Sequence, residues 1–460
     1  MKIRATTADA YRLFHDGALA LARAERQGIR VDTEYCEQER VELTRKILLL
    51  REELESSRFY RRWVRIYGTK TNLDSDHQLA HVLYRVLKIT PPKTTATGAG
   101  STDEEALAQI DIPELKAIIQ IRKLAKVRDT YLGAFIREQY DGYLHPGFDL
   151  HTVRTYRSSS SGPNFQNIPM RDEESMRICR RALLPRPGHQ LAELDFAAME
   201  IRISACYHKD PVMLRYLEDP SSDMHLDLAK QIFCFNGLDR SLPAHYTLRQ
   251  AAKNGFIFPQ FYGDYHGNNV ASICEWIKLP RGRWKPGMGI QLPDGVHISD
   301  HLRGVQLDSF ERFTEHIKAV EDDFWSNRFK IYNAWREAWV AQYRRRGHLK
   351  MLTGFVVSGE MRKNQIINSP IQGTAFHCLL FTFIRLDEIM RKERWRSKLI
   401  GQIHDSIVMD VHPDELPRVE EVARRIVKEE LSSRWDWIIV PMDVDLEVYE
   451  VDGPWVHQKA

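Results

Sequence analysis

Residues 397–412 read "SKLIGQIHDSIVMDVH", two apolar runs closed around a polar centre. Short apolar runs rich in β-branched residues suit strands. The pattern predicts a strand pair with His404 and Asp405 at or near its turn. A second apolar run, "QLAELDF" at 190–196, suits a buried strand, and the following "AAMEIRISACY" suits a helix. Asp195 therefore also stands at a strand end. An unpaired carboxylate is not buried without a large penalty, so both acids are expected at an open edge. Either one alone could be an ordinary turn or cap residue. Brought together by neighbouring strands, Asp195 and Asp405 could ligate two Mg²⁺ ions about 3.5–4 Å apart, the arrangement that phosphoryl transfer uses.

A second stretch, "RQAAKNGFIFPQFYG" at 249–263, raises a question of register. Arg249 and Lys253 stand four apart, as do Phe258 and Tyr262, but the two pairs are out of step by one residue. Adjacent cations on a helix face are commonly just solvated. Beside a carboxylate pair they acquire another use, gripping a triphosphate and neutralising the charge that grows on leaving pyrophosphate. If one extra residue is accommodated after Lys253, all four side chains fall on one stripe. Pro259 favours this, because it cannot donate to the carbonyl of Gly255 and would crowd it. A bulge or kink is expected near 254–258, in place of a regular helix presenting Ile257 and Phe261.

"TYRSSSSGPNFQNIP" at 155–169 would otherwise be a serine-rich connector. Its Arg157, Asn164, Gln166 and Asn167 offer donors to minor-groove edges and phosphates without demanding one base.

The chain has 460 residues, too long for one simple core. Hydrophobic residues make up 43% and charged residues 28%, an ordinary globular composition that excludes a disordered chain. Sixty-six Lys and Arg against 63 Asp and Glu leave a formal charge of +3, so any polyanion must be met by local patches. No apolar run is long enough to span a bilayer, and the N-terminus lacks a signal peptide's apolar stretch. The six scattered cysteines contain no CxxC pair and fit a reducing cytoplasm.

A helix is expected over residues 8–28, with Gly28 as its stop, and one long charged helix over 33–66. Asp74 or Ser75 is expected to cap a further helix, "STDEE" at 101–105 to start another, and residues 113–140 to form a second long one. From 143 short strands and turns take over, and helix returns over 211–346, broken by the Pro/Gly-rich 278–295. The reading is an α+β chain with a mostly helical lobe over 36–142.

In this order these segments resemble DNA polymerases of the polymerase I family, family A. "LDFAAMEIR" (194–202) resembles the first palm motif, "GQIHDSIVMDV" (401–411) the second and 249–263 the fingers helix; 155–169 resembles the template-primer loop. "NSPIQGTAFHCLL" (368–380) resembles a further palm helix, and "KTTATGAGST" (93–102) with "IRKLAKVRDTY" (121–131) the thumb. The resemblance implies a right hand: palm over 1–35, 143–210 and 365–460, thumb over 36–142, and fingers with connecting helices over 211–364. It implies two Mg²⁺ ions, with Mn²⁺ as a substitute, on Asp195, Asp405 and the backbone carbonyl of Phe196. Arg249 and Lys253 would bind the triphosphate, Lys253 donating the proton to pyrophosphate, with His225 near the phosphates. Glu200 matches the residue that closes the space of a ribose 2′-OH, and Phe258 would lie under the incoming sugar with Tyr262 beside the template base. Phenylalanine rather than tyrosine at 258 implies poor use of dideoxynucleotides. Arg157, Asn368, Gln372 and His404 match minor-groove readers at the primer end. Arg202 matches a family arginine with a structural role, and Arg122, Lys126 and Arg128 suit phosphate contacts from the thumb. Expected partners are primer-template DNA and deoxynucleoside triphosphates, with a separate exonuclease or processivity factor and no membrane, around a monomer.

Three departures stand out. Ser406 follows the second aspartate, where the family usually has glutamate, and Ala197 and Ala198 replace polar residues after the first. The insert at 274–305 has no clear counterpart. The chain is expected to act without a proofreading exonuclease or 5′ nuclease of its own, and its short plan points to a phage or plasmid type. Rival readings are a single-subunit RNA polymerase, which His-Asp-Ser also fits, a reverse-transcribing relative, and an inactive DNA-binding relative.

Overall fold

The computed structural model describes residues 5–95, 97–170 and 172–457. Ala96, within the segment likened to the thumb loop, lies outside them. Four antiparallel strands organise the molecule: β1 (Gln190–Phe196), β2 (Lys398–Ile403), β3 (Ser406–Val411) and β4 (Val444–Val448), in the order β4-β1-β3-β2. β2 and β3 are the pair expected from 397–412, and residues 404 and 405 form the turn between them.

The two faces of this sheet enter different cores. Ala192, Leu194 and Phe196 of β1 and Ile407, Met409 and Val411 of β3 face one core, shared with helices Thr7–Gln27 and Lys363–Lys392. The alternate residues Leu191 and Val408 face the other, shared with the helical lobe of the first third of the chain. Side chains alternate along a strand, so Glu193 and Asp195 belong to this second face, as do Ser406 and Asp445, the strand partners of Asp195. Burial on both faces explains why β1 reads as a continuous apolar run.

The lobe is built on helices Thr33–Ser56 and Glu114–Ala125, the latter continued by a wide turn, Lys126–Leu132, into Gly133–Glu138. The single helix expected over 33–66 is in fact two. Ser57 is extended and its hydroxyl accepts from the Tyr60 N–H at 3.0 Å, capping a second helix, Arg58–Tyr67. Ser75 and Asp103 are caps in their turn. A small sheet of Ile29–Val31 between Tyr143–Leu144 and Leu183–Leu184 lies where the chain enters and leaves the lobe.

Helices also dominate 199–346. The largely exposed segment 278–297 is anchored by Leu279, Trp284 and Leu292: Trp284 is fully buried, donates to the Pro280 carbonyl at 2.8 Å and meets the Phe313 ring. Leu292, Ile298 and Leu302 are buried with it, so the insert extends the core. Among the described residues no helix is long and apolar enough to cross a membrane.

Candidate active site

Asp195 is the penultimate residue of β1 and Asp405 occupies the β2–β3 turn, so the sheet register brings both to one edge. They line a cleft of about 360 Å³ together with Glu200, His225, Lys253 and Phe258. Tyr262, Asn368 and Gln372 complete its rim. That volume is in the range of small-molecule sites. Partial burial, then the neighbouring Asp405, Glu193 and Asp445 carboxylates, push the Asp195 pKa up to about 6. Arg157 offsets Asp405 at 3.3 Å and Arg180 offsets Glu193 at 3.1 Å, yet the crowding around Asp195 still favours its protonated form.

The turn that carries Asp405 is held by buried polar groups. His404 adopts a left-handed conformation, φ 49°, uncommon for a non-glycine residue. Gln402, almost fully buried, donates to the His404 carbonyl at 2.5 Å and accepts from Ser158 at 2.5 Å and Gln166 at 3.0 Å. Gln166, expected to offer its amide to DNA, thus turns inward and braces the turn. Asn164, Asn167 and His404 are exposed.

On the opposite wall the helix Pro243–Ala252 runs into a π turn at Lys253–Ile257 and then into Phe258–Tyr262. This is the bulge expected from the sequence. Ile257 is fully buried, whereas Lys253, Phe258 and Tyr262 line the cleft. The Lys253 ammonium lies 5.3 Å from the Phe258 ring centre, and the His225 ring meets Phe258 edge-on. Phe261 also reaches the cleft lining but is largely buried among aromatic rings. Gly255 has a reason beyond the proline: a Cβ there would come within 2.8 Å of Ile273.

Arg249 does not line this cleft; it faces an adjoining hollow with Asp223 and His225, its partners already in place. Its Nε donates to Asp223 at 2.7 Å and its Nη2 lies 3.2 Å from His225 Nδ1. Burial raises Asp223, but the Arg249 bond and the Leu226 N–H outweigh it and hold the carboxyl below its usual range. Burial, Arg249 and Lys253 together depress His225 to about 4, so it is neutral at pH 7. Asp223, two residues before His225, was not singled out from sequence; "SSDMH" gives it only the look of a helix cap, which it also is.

Between the walls Glu200 is clasped from both sides. Arg157 Nη2 donates to Glu200 at 2.6 Å and to Asp405 at 3.3 Å, and the Tyr262 hydroxyl donates to Glu200 at 2.5 Å. Asn368 donates to the Tyr262 carbonyl at 3.1 Å. Arg202 ties the Ala197 and Pro441 carbonyls together, the structural role expected of it.

The thumb-side cations are less free than the sequence suggests. Arg122 pairs with Asp76 at 2.8 Å and donates to the Thr102 carbonyl, and Arg128 pairs with Asp129 at 2.8 Å and donates to Thr44. Lys126 is exposed. These carboxylates compete with any phosphate for Arg122 and Arg128.

The sequence profile of DNA polymerase family A matches residues 43–266 and 310–452. The chain belongs to this family. The unmatched stretch, 267–309, contains most of the insert whose Trp284 extends the core. The chain is 29% identical over 456 residues to the thermostable DNA polymerase I of Thermus filiformis, covering 95% of this chain and 47% of that protein. It is 26% identical over 435 residues to DNA polymerase I of Lactococcus lactis subsp. cremoris, covering 93% of this chain and 44% of that one. The chain thus spans about half the length of these curated relatives. A solved structure titled as the POL domain of Pol1 from M. smegmatis, in complex with DNA primer-template and dNTP, superposes with a TM-score of 0.73 at 23% identity. The match covers 96% of this chain and 69% of that one and establishes the shared fold. In this family A frame the four-stranded sheet is the palm and the helical regions are thumb and fingers.

The residues fit a divalent metal of the Mg²⁺ type. Among the described residues no three His, Cys, Asp or Glu side chains are spaced to enclose an ion unaided. Mg²⁺ is commonly held by only one or two carboxylates, with water and substrate phosphates completing its shell. Asp195 and Asp405 supply those carboxylates, and the charge crowding at Asp195 is what a cation would relieve. Phe196, whose carbonyl was expected as a further ligand, ends β1 beside them.

Proposed function

We propose that this chain is a template-directed DNA polymerase that adds deoxynucleoside triphosphates to a primer 3′-OH. The observation that supports it best is the facing of Asp195 and Asp405 by Lys253, His225 and Phe258 across one cleft. Two Mg²⁺ ions held by Asp195 and Asp405, or Mn²⁺ in their place, would activate the 3′-oxygen and stabilise the leaving pyrophosphate. Lys253 and Arg249 bind the triphosphate; Arg249 exchanges Asp223 for phosphate oxygens as the nucleotide arrives. Lys253 donates a proton to pyrophosphate. His225, neutral, offers a hydrogen bond there without adding charge. Phe258 supports the sugar, and Tyr262 leaves Glu200 to let the template base in.

Primer-template DNA lies across Arg157, Asn368, Gln372 and the exposed Asn164, Asn167 and His404, with Lys126 on the thumb side. A separate exonuclease or processivity factor would supply what a polymerase unit does not. The six cysteines, free among the described residues, support a reducing compartment such as the cytoplasm.

The RNA polymerase reading is weakened by Glu200. Held by Arg157 and Tyr262, it stands where the resemblance places a ribose 2′-OH. Primer extension on a DNA template with Mg²⁺, comparing deoxy- with ribonucleotides and using Asp405→Ala as control, tests the proposal. Extension with deoxynucleotides alone, lost in the variant, is expected. Ribonucleotide use would favour the RNA polymerase branch, and DNA binding without extension would favour the inactive relative.

A further inference from the structure

Glu193 is a buried carboxylate in a strand of apolar residues, which demands a reason. It lies two residues before Asp195 and so on the same face of β1. Arg180, itself buried and stacked over Trp455, donates to its Oε2 at 3.1 Å. The other oxygen, Oε1, accepts from the Ser406 hydroxyl at 2.7 Å. The second oxygen of a buried carboxylate also needs a donor, and here the residue that supplies it adjoins the Asp405 turn.

Ser406 is a special place to attach. It is the strand partner of Asp195 and the covalent neighbour of Asp405. Its hydroxyl also lies 3.0 Å from the carbonyl of Ile403, where the turn begins. The turn between them contains the left-handed His404, so its shape must be imposed by its surroundings. Glu193, Asp195, Asp405 and Ser406 further line a second opening of about 360 Å³ behind the two aspartates.

We propose that Glu193 is a positioning residue of the active site, which through Ser406 locks the Asp405 turn in register with Asp195. The carboxylate comes from β1 and the hydroxyl from β3, so Ser406, the residue that departs from the resemblance, has its acid across the strand. A glutamate at 406 would meet Glu193 carboxylate to carboxylate in a buried place, which is unfavourable. The two positions should therefore tolerate an exchange better than a single change. This inference rests on the polymerase reading, and one of its tests does not.

The test compares wild type, Glu193→Gln, Ser406→Ala, Ser406→Glu and the exchange Glu193→Ser/Ser406→Glu in the full chain. Mn²⁺ binding, followed by electron paramagnetic resonance without DNA or nucleotide, is one readout; kcat and KM for dNTP in primer extension are the other. Ser406→Ala and Glu193→Gln are expected to weaken Mn²⁺ binding severalfold. They should lower kcat by about tenfold to a hundredfold, the cost of misplacing a reacting group, with KM changed little. Ser406→Glu alone is expected to be worse, and the exchange to recover most of that loss. Wild-type Mn²⁺ binding and kcat in both Ser406→Ala and Glu193→Gln would overturn the proposal and leave Glu193 as the partner of Arg180. So would an exchange no better than Ser406→Glu alone. If the wild type extends no primer, the polymerase reading fails, and the Mn²⁺ arm still decides the role of Glu193.

Discussion

The two walls of the cleft solve opposite electrostatic problems. On the palm, Asp195 and Asp405 are carried by a rigid sheet and crowd each other, and Asp195 holds its proton unusually well. On the fingers, Arg249 is already matched by Asp223 and His225 has lost its charge. One wall crowds carboxylates that Arg157 only partly offsets; the other holds its cation already paired. On the proposed function, metal binding would gain from relieved repulsion, whereas triphosphate binding would be a near-balanced swap of partners.

Removing an acid should break this comparison most severely. Asp405→Ala is expected to lower primer extension by about a thousandfold or more, since on the proposed function it would withdraw a metal ligand worth several kcal/mol in the transition state. Circular dichroism should show the fold intact. On the other wall, Lys253→Ala should cost about a hundredfold in kcat, within the range for a lost general acid. A loss confined to KM would limit Lys253 to binding.

The fingers wall also depends on phase. Deleting Asn254 together with Pro259→Ala removes the extra residue of the π turn and the proline that opposes a regular helix, and leaves Arg249, Lys253 and the two aromatic rings spaced four apart. KM for dNTP should then stay within about threefold of wild type, since a regular helix keeps that stripe on one face. Inserting an alanine there would turn the rings by roughly 100° and should raise KM about tenfold or more. Equal damage from both changes would refute the phase argument.

The smallest expected effect sharpens the palm side. Asp195 binds its proton more tightly folded than unfolded, where its pKa is near the ordinary 3.8. Stability of the metal-free protein is therefore lowered as pH rises from about 4 to about 6, and stays lowered above that. Asp195→Asn removes this penalty. Its Tm should match wild type near pH 4 and exceed it by about 1–2 °C at pH 7, a modest gain because the carboxylate opens onto solvent. Added Mg²⁺ should close the gap. Melting curves across that pH range check the sign.

What could be read in the sequence was local. The β2–β3 pair showed in its apolar runs, and the slipped fingers helix in the spacing of its pairs and in Pro259. The break at Ser57 hid inside a strongly helix-forming charged stretch, with only the serine pair at 56–57 to mark it. Partnerships across the chain were out of reach. Gln166 looks like a DNA donor until Gln402, 236 residues on, is seen to receive it. Arg122 looks like a phosphate ligand until Asp76 is placed beside it. Glu193 did leave a trace, an acid two places before Asp195 in an otherwise apolar strand, but its meaning depended on Ser406.

The π turn has a consequence for how such a helix can change over time. It divides one helix into two pieces whose rotations are set separately: cations before it, rings after it, with left-handed Gly263 closing the second piece. A one-residue loss inside the wide turn is absorbed there, while the same loss one turn later would displace a ring. Counting residues from the lysine therefore misidentifies the aromatic positions in this chain. Counting back from the Tyr262-Gly263 terminus finds them.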